Sequence, residues 1–208
     1  MIKVYGYYPS GNSYKVELLL TRLEVAYEFI HLDLLKGESR NEDFLAMNPN
    51  GRVPLVELDG RYLAESHAIL SYFAEGTDLV PDDPWERAKM WQWMCFEQYQ
   101  VEPNIGTARY HITLCKRSPE SIGLLLQEKK KEAQKALRTI DDHLADRPFM
   151  VSNRFTLADL SLFAYVHVTP EAGIPLTGHD NLLAWLERIR NEPRFIPMTT
   201  LDYLETQE

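Results

Sequence analysis

NPNGRVPLVELDGRYLAESHAI, residues 48–69, decides the fold of the amino-terminal part of this chain. Leu55, Val56, Glu57 and Leu58 make a short run with β-branched content, stopped by Asp59-Gly60. Asp-Gly between two strand-like runs predicts a hairpin, because a type I′ turn needs positive φ at both central residues. Arg61, Tyr62 and Leu63 form the return strand. After Glu65-Ser66, the pairs Ala68-Ile69 and Tyr72-Phe73 fall at helical spacing, so a helix begins there. Pro54 has no N–H to give a sheet and belongs at the first residue of its strand. The Val53-Pro54 bond at this corner is a candidate for cis geometry, which would turn the backbone of Val53 outward. The first N–H groups of a helix lack intrahelical partners and attract carboxylates. An extended peptide-like anion can therefore pair its backbone with Val53 and set a carboxylate on Ser66, at the helix start that Glu65 opens.

Outward from this corner, Ile2 to Tyr7 reads as a first strand. Pro9 to Ser13 is turn-forming, and Val16, Leu19, Leu20 and Leu23 mark a helix. Tyr27, Phe29, Ile30 and Leu32 mark a second strand. Strand, helix and strand in about thirty residues make a βαβ unit with parallel strands. A polar stretch from Lys36 and a short helix over 42–47 lead to the hairpin. The order βαβ then ββα predicts a thioredoxin-like α/β domain over residues 1–76. GTDLVPDDP predicts a linker, 77–84, and an all-helical domain follows over 85–208. In that domain Pro103 should kink or end a long helix that starts near Trp85 and continues beyond Ile105. Ile122 to Leu144 is amphipathic, and Lys129-Lys130-Lys131 is expected on its solvated face. In FTLADL, Thr156 as N-cap and Asp159 three residues on make a capping box, with Phe155 stapled to Leu160. That reading is structural.

The net charge of −9 bounds the partners. Residues 1–76 carry 7 basic and 11 acidic side chains, the remainder 15 and 20, so neither part is basic by count. Nucleic acid and anionic membrane are therefore not the expected partners. Cys95 and Cys115 show no CxxC or metal-ligand spacing and are expected to be buried thiols, with no metal site. MIKVYGYY enters a strand at once, leaving no room for a signal peptide, and no apolar run suits a membrane span. The cytoplasm is the expected compartment.

NPNGRVP, ESHAI, YYPSGNSYKV and FTLADLSLF together resemble the cytosolic glutathione transferases, over most of the chain. The resemblance implies glutathione as co-substrate, no further cofactor, and a homodimer joined through the helix after the linker. It also implies a second substrate that is a hydrophobic electrophile, a peroxide or a disulfide, with the electrophile site in the helical domain. Chemistry on glutathione needs its thiolate. Lowering a thiol pKa by about two units from near 8.5 is worth about 2.7 kcal/mol. A short donor is thus required just before the first helix, where Ser10, Asn12 and Ser13 stand.

Bacterial members of the nu-class type have a hydroxyl residue and then an asparagine two positions later, and Ser10, Asn12, Ser13, Tyr14 and Lys15 match that run. The resemblance gives Ser10 and Asn12 the thiolate. Other classes use a tyrosine, for which Tyr7 is the rival, though a place inside the strand favours packing. A turn former and N-cap is the plainer reading of Ser10 and Asn12. The resemblance further implies Val53 and Pro54 on the cysteinyl backbone and Glu65 and Ser66 on the γ-glutamyl end. It leaves Arg52 and Lys36 as candidates for carboxylates. Tyr99, Arg109, Tyr110 and His111 are candidates for an electrophile wall. A non-catalytic binding or scaffold protein is the alternative.

Overall fold

The computed structural model describes residues 1–199. The part of the expected helical domain over 200–208 lies outside them. Two compact units form, one of Met1–Glu75 with the segment that begins at Pro193, the other of Gly76–Glu192.

The first unit runs β1 (Ile2–Gly6), α1 (Gly11–Arg22), β2 (Tyr27–His31), α2 (Glu42–Met47), β3 (Leu55–Leu58), β4 (Arg61–Ala64) and α3 (Ser66–Ala74). The sheet order is β2-β1-β3-β4, with β1 parallel to β2 and antiparallel to β3. Asp59 and Gly60 turn the hairpin with φ of 52° and 71°, as an Asp-Gly type I′ turn requires. The core joins sheet and helices through Val4, Val16, Leu20, Val56 and Ile69, none more than 1% exposed. β1 ends one residue before Tyr7. Its last residue is a glycine because a Cβ there would meet the Phe29 ring at 2.6 Å and Cβ of Ser13 at 3.1 Å. The segment after Pro193 returns to this unit, where Tyr14 Oη donates to the Ile196 carbonyl at 2.6 Å and Arg22 to that of Pro193. Its place beside α1, not in the helical unit, departs from the expected boundary.

The second unit is helical: α4 (Pro84–Phe96), a short α5 (Thr107–Arg109), α6 (Gly123–His143), α7 (Leu157–Val166) and α8 (Asp180–Arg190). The segment around Pro103 neither ends nor breaks. It widens into π-helix over Glu97–Gly106 and again over Tyr110–Leu114. Bonds to the fifth residue, such as Cys115 N–H to the Tyr110 carbonyl at 2.8 Å, replace the usual ladder. All of α7 is buried. Its capping box is present, and Asp159 takes bonds from the N–H groups of Thr156 and Met150 and from Trp185 Nε1, at 3.0, 2.8 and 2.9 Å.

Two expectations are corrected here. Cys95 is exposed and Cys115 half-buried, because α4 turns Met90, Trp93 and Met94 inward and leaves Cys95 on its other face. Lys129 and Lys130 are half-buried rather than solvated, and Lys129 Nζ donates to buried Asn104 at 3.4 Å. A lysine can bury its long stem while its ammonium stays in reach of polar atoms or water. Among the described residues no helix is long and apolar enough to cross a membrane.

Candidate functional site

The candidate residues belong to three short segments of the first unit: the start of α1, the loop before β3 and the start of α3. Ser10 is the N-cap of α1, and its Oγ accepts from the Ser13 N–H at 3.3 Å. That role uses an acceptor position and keeps the hydroxyl's own O–H to donate. Ser13 Oγ in turn accepts from the Tyr7 N–H at 3.2 Å, which pins the turn against β1. Ser10 and Asn12 are half-buried, whereas Ser13 is fully buried.

Before β3, Asn48 organises the loop. Its Nδ2 donates to the Arg52 carbonyl at 2.8 Å and its Oδ1 accepts from the Asn50 N–H at 3.2 Å. The Val53-Pro54 peptide bond is cis. The β1–β3 ladder stops at Leu55, so Val53 lies beyond the paired residues. Arg52 points into solvent. Lys36 lies in the stretch after β2, with its side chain 68% exposed and its Nζ 3.3 Å from Asp33 Oδ2.

The start of α3 is unusual. Glu65 precedes it with φ 70° and ψ 115°, a conformation that a side-chain-bearing residue adopts only under strain, and its carboxylate makes no cap bond. The first bond across the helix start joins the Ile69 N–H to the Glu65 carbonyl at 3.0 Å. The N–H groups of Ser66, His67 and Ala68 are therefore those that helix geometry leaves without an intrahelical acceptor. Glu65 is exposed and Ser66 only 5% exposed.

Ser66 Oγ donates to Asn12 Oδ1 at 3.3 Å, so the starts of α1 and α3 meet. Asn12 and Ser66 thus meet, with Ser10 and Glu65 as the residues that precede the two helices. Arg52 is exposed beside the loop, and Lys36 is paired with Asp33. Lys15, in the sequence only part of the run that matches the nu-class type, meets Asn12 as well: its side chain is completely buried and donates to Asn12 Oδ1 at 2.9 Å. Its position one turn after Asn12 on α1 was the available signal.

The tyrosines divide differently. Tyr5 Oη donates to Glu57 at 2.8 Å, and burial together with that carboxylate pushes its pKa up to about 12. Tyr8 stacks on Phe29 and His31, with ring centroids 4.4 and 4.8 Å apart. Tyr7, expected in the strand, lies just past it, 2% exposed and against His31. The arrangement as a whole sets hydroxyl and amide groups at one helix start and backbone N–H groups at another. It can bind an extended molecule that carries a carboxylate at one end and an anionic atom near Ser10 and Asn12.

Residues 1–75 match the family model for the glutathione S-transferase N-terminal domain, and residues 125–188 match that for the C-terminal domain. The chain belongs to the glutathione transferase superfamily. It is 29% identical over 201 residues to the disulfide-bond oxidoreductase YfcG of Escherichia coli, covering 93% of this chain and 92% of that one. Among solved structures, a possible glutathione S-transferase from Rhodopseudomonas palustris superposes with a TM-score of 0.93 at 42% identity, covering 96% of this chain and 90% of that one. A glutathione S-transferase from Pseudomonas fluorescens gives 0.92 at 40% identity, with 96% and 99% covered. These relatives agree with the thioredoxin-like unit and the helical unit described above.

Proposed function

We propose that the protein is a glutathione-dependent transferase that holds the glutathione thiolate with Ser10 and Asn12. The observation that carries this reading is the 3.3 Å bond from Ser66 to Asn12, which makes one site of two helix starts. In this reading the cysteinyl backbone pairs with Val53 beside Pro54. The γ-glutamyl carboxylate lies on the N–H groups after Glu65, which draw negative charge. Arg52 and Lys36 supply longer-range positive potential for the remaining carboxylate. The Ser10 O–H and the Asn12 amide meet the sulfur. A hydrogen bond to a charged group contributes about 1.5–3 kcal/mol, and a helix N-terminus about 0.3–1 kcal/mol. Together they cover the roughly 2.7 kcal/mol that a two-unit drop in thiol pKa needs.

The thiolate then attacks the second substrate. With an electrophilic carbon, a C–S bond forms and the leaving group departs with its electron pair. With a disulfide, a new S–S bond forms and the displaced thiolate takes a proton from water. Identity to a disulfide-bond oxidoreductase supports the second outcome as well as the first. A peroxide is the third class of acceptor, and the cytoplasm is the expected setting.

The test reads ionisation of bound glutathione by thiolate absorbance against pH. Ser10→Ala with Asn12→Ala should raise the bound thiol's pKa, and Tyr7→Phe should leave it in place. A shift with Tyr7→Phe and none with the double variant would replace this assignment by a tyrosine. A scaffold without catalytic function would bind no glutathione or leave its thiol at the value in water.

We further propose a homodimer. α4 leaves Trp85 69% and Trp91 39% exposed, and the first unit has an apolar hollow lined by Val56, Leu58, Leu63, Tyr72 and Phe73. Large exposed aromatic surface of this kind marks protein contact sites. A sedimentation mass near 24.2 kDa at micromolar concentration would contradict it.

A further inference from the structure

One buried side chain ties the loop before β3. Asn48 is 6% exposed, and both ends of its amide are engaged. Nδ2 donates to the Arg52 carbonyl at 2.8 Å, and Oδ1 accepts from the Asn50 N–H at 3.2 Å. Turning the amide over would set donor against donor and acceptor against acceptor, so these two partners determine its orientation. The backbone of Asn48 is held as well. Its N–H donates to the Phe44 carbonyl and its carbonyl accepts from the Gly51 N–H, each at 2.8 Å. Arg40 Nη1 supports the same turn through the Asn50 carbonyl at 3.0 Å. Asn48 is therefore a fixed point, and the Arg52 carbonyl is tied to it.

The Arg52-Val53 peptide bond is trans. In a trans peptide unit the carbonyl and the N–H share one plane and point in opposite directions. A bond that draws the Arg52 carbonyl toward Asn48 thus turns the Val53 N–H away from it. The sheet does not set this plane, because the pairing of β3 with β1 and with β4 goes no further than Leu55.

We propose that Asn48 is a positioning residue: by holding the Arg52 carbonyl it aims the Val53 N–H at the cysteinyl carbonyl of glutathione. The inference rests on the reading that the cysteinyl backbone pairs with Val53. It adds that the direction of this N–H is set from behind, by an uncharged side chain that never touches the ligand. A hydrogen bond weakens steeply as its angle closes, so a tilt of one peptide plane is enough to lose the contact.

The test uses the full-length protein and three ligands, with affinities read from chemical-shift titrations. Glutathione has both the cysteinyl carbonyl and the glycine carboxylate. γ-Glutamylcysteine ethylamide keeps that carbonyl and lacks the terminal carboxylate, and γ-glutamylcysteamine lacks both. Asn48→Ala should weaken glutathione and the ethylamide alike, by about five- to tenfold. It should change affinity for γ-glutamylcysteamine by less than about twofold. Where Asn48→Ala does not fold, Asn48→Asp decides, since a carboxylate still accepts from the Asn50 N–H and offers Arg52 no N–H. The ethylamide and γ-glutamylcysteamine have the same net charge, so their affinity ratio is free of the added charge. A fall in that ratio upholds the inference and an unchanged ratio overturns it.

Equal losses for all three ligands would overturn positioning in favour of a general collapse of the loop. A loss confined to glutathione would overturn it in favour of an effect on the glycine carboxylate through Arg52. Native affinities in the variant would overturn it altogether. Failure of the native protein to bind any of the three would remove the glutathione reading itself, and this inference with it.

Discussion

The starts of α3 and α7 solve the same problem in opposite ways. Each helix has N–H groups with no intrahelical acceptor. α7 answers them from its own chain: Thr156 has extended backbone, φ −134° and ψ 178°, and Asp159 completes the box in a wholly buried setting. α3 has Glu65 at φ 70°, exposed, with no side-chain cap. A start that closes on itself stabilises the fold. A start preceded by a strained residue with no side-chain cap costs stability, and in the proposed function its N–H groups meet the ligand's carboxylate.

The contrast breaks most visibly at Asp159. Asp159→Ala strands the Thr156, Met150 and Trp185 donors inside the helical unit. Unfolding free energy from urea titration should fall by about 3–5 kcal/mol. A loss near 0.5 kcal/mol would show that the box is dispensable.

Glu17 on α1 sharpens the contrast from another side. No donor to its carboxylate is found among the described residues, and burial pushes its pKa up to about 7. A raised carboxyl favours the folded state in its protonated form. Its contribution is therefore full below the unfolded value of about 4.3 and is lost as pH rises through about 7. Between pH 5 and 8 the native protein should lose about 1–3 kcal/mol relative to Glu17→Gln. Parallel stability profiles would show that Glu17 has a donor or water in solution.

The smallest effect is at Glu65 itself. Glu65→Gly removes the strain at φ 70° and should raise stability by about 1 kcal/mol while weakening glutathione binding. A loss of stability would mean that the position is not strained.

Much of this was legible in the residues, for reasons that are local. The Asp59-Gly60 turn, the helix over 42–47 and the capping box each rest on neighbours within four positions, where short-range chemistry dominates. Cys95 was misjudged because periodicity identifies an apolar face without saying whether anything covers it. Lys129 and Lys130 were misjudged because a run of charge hides long apolar stems. The π-helical turns around Pro103 leave no pattern of their own. The bond from Ser66 to Asn12 spans 54 positions and the one from Tyr14 to Ile196 spans 182, so neither has a local signature. The parts of the site were readable one by one, and their meeting was not. The family resemblance supplied the meeting in advance, through the motifs at both helix starts.

In the proposed function the start of α3 is where glutathione's carboxylate binds. Calorimetric titration of glutathione into the native protein and into a Glu65→Ala, Ser66→Ala variant of equal secondary structure tests it most directly. Loss of a charge-assisted contact together with its neighbour at one end of the ligand should weaken binding by at least about tenfold. Superimposable isotherms for the two proteins would contradict the account.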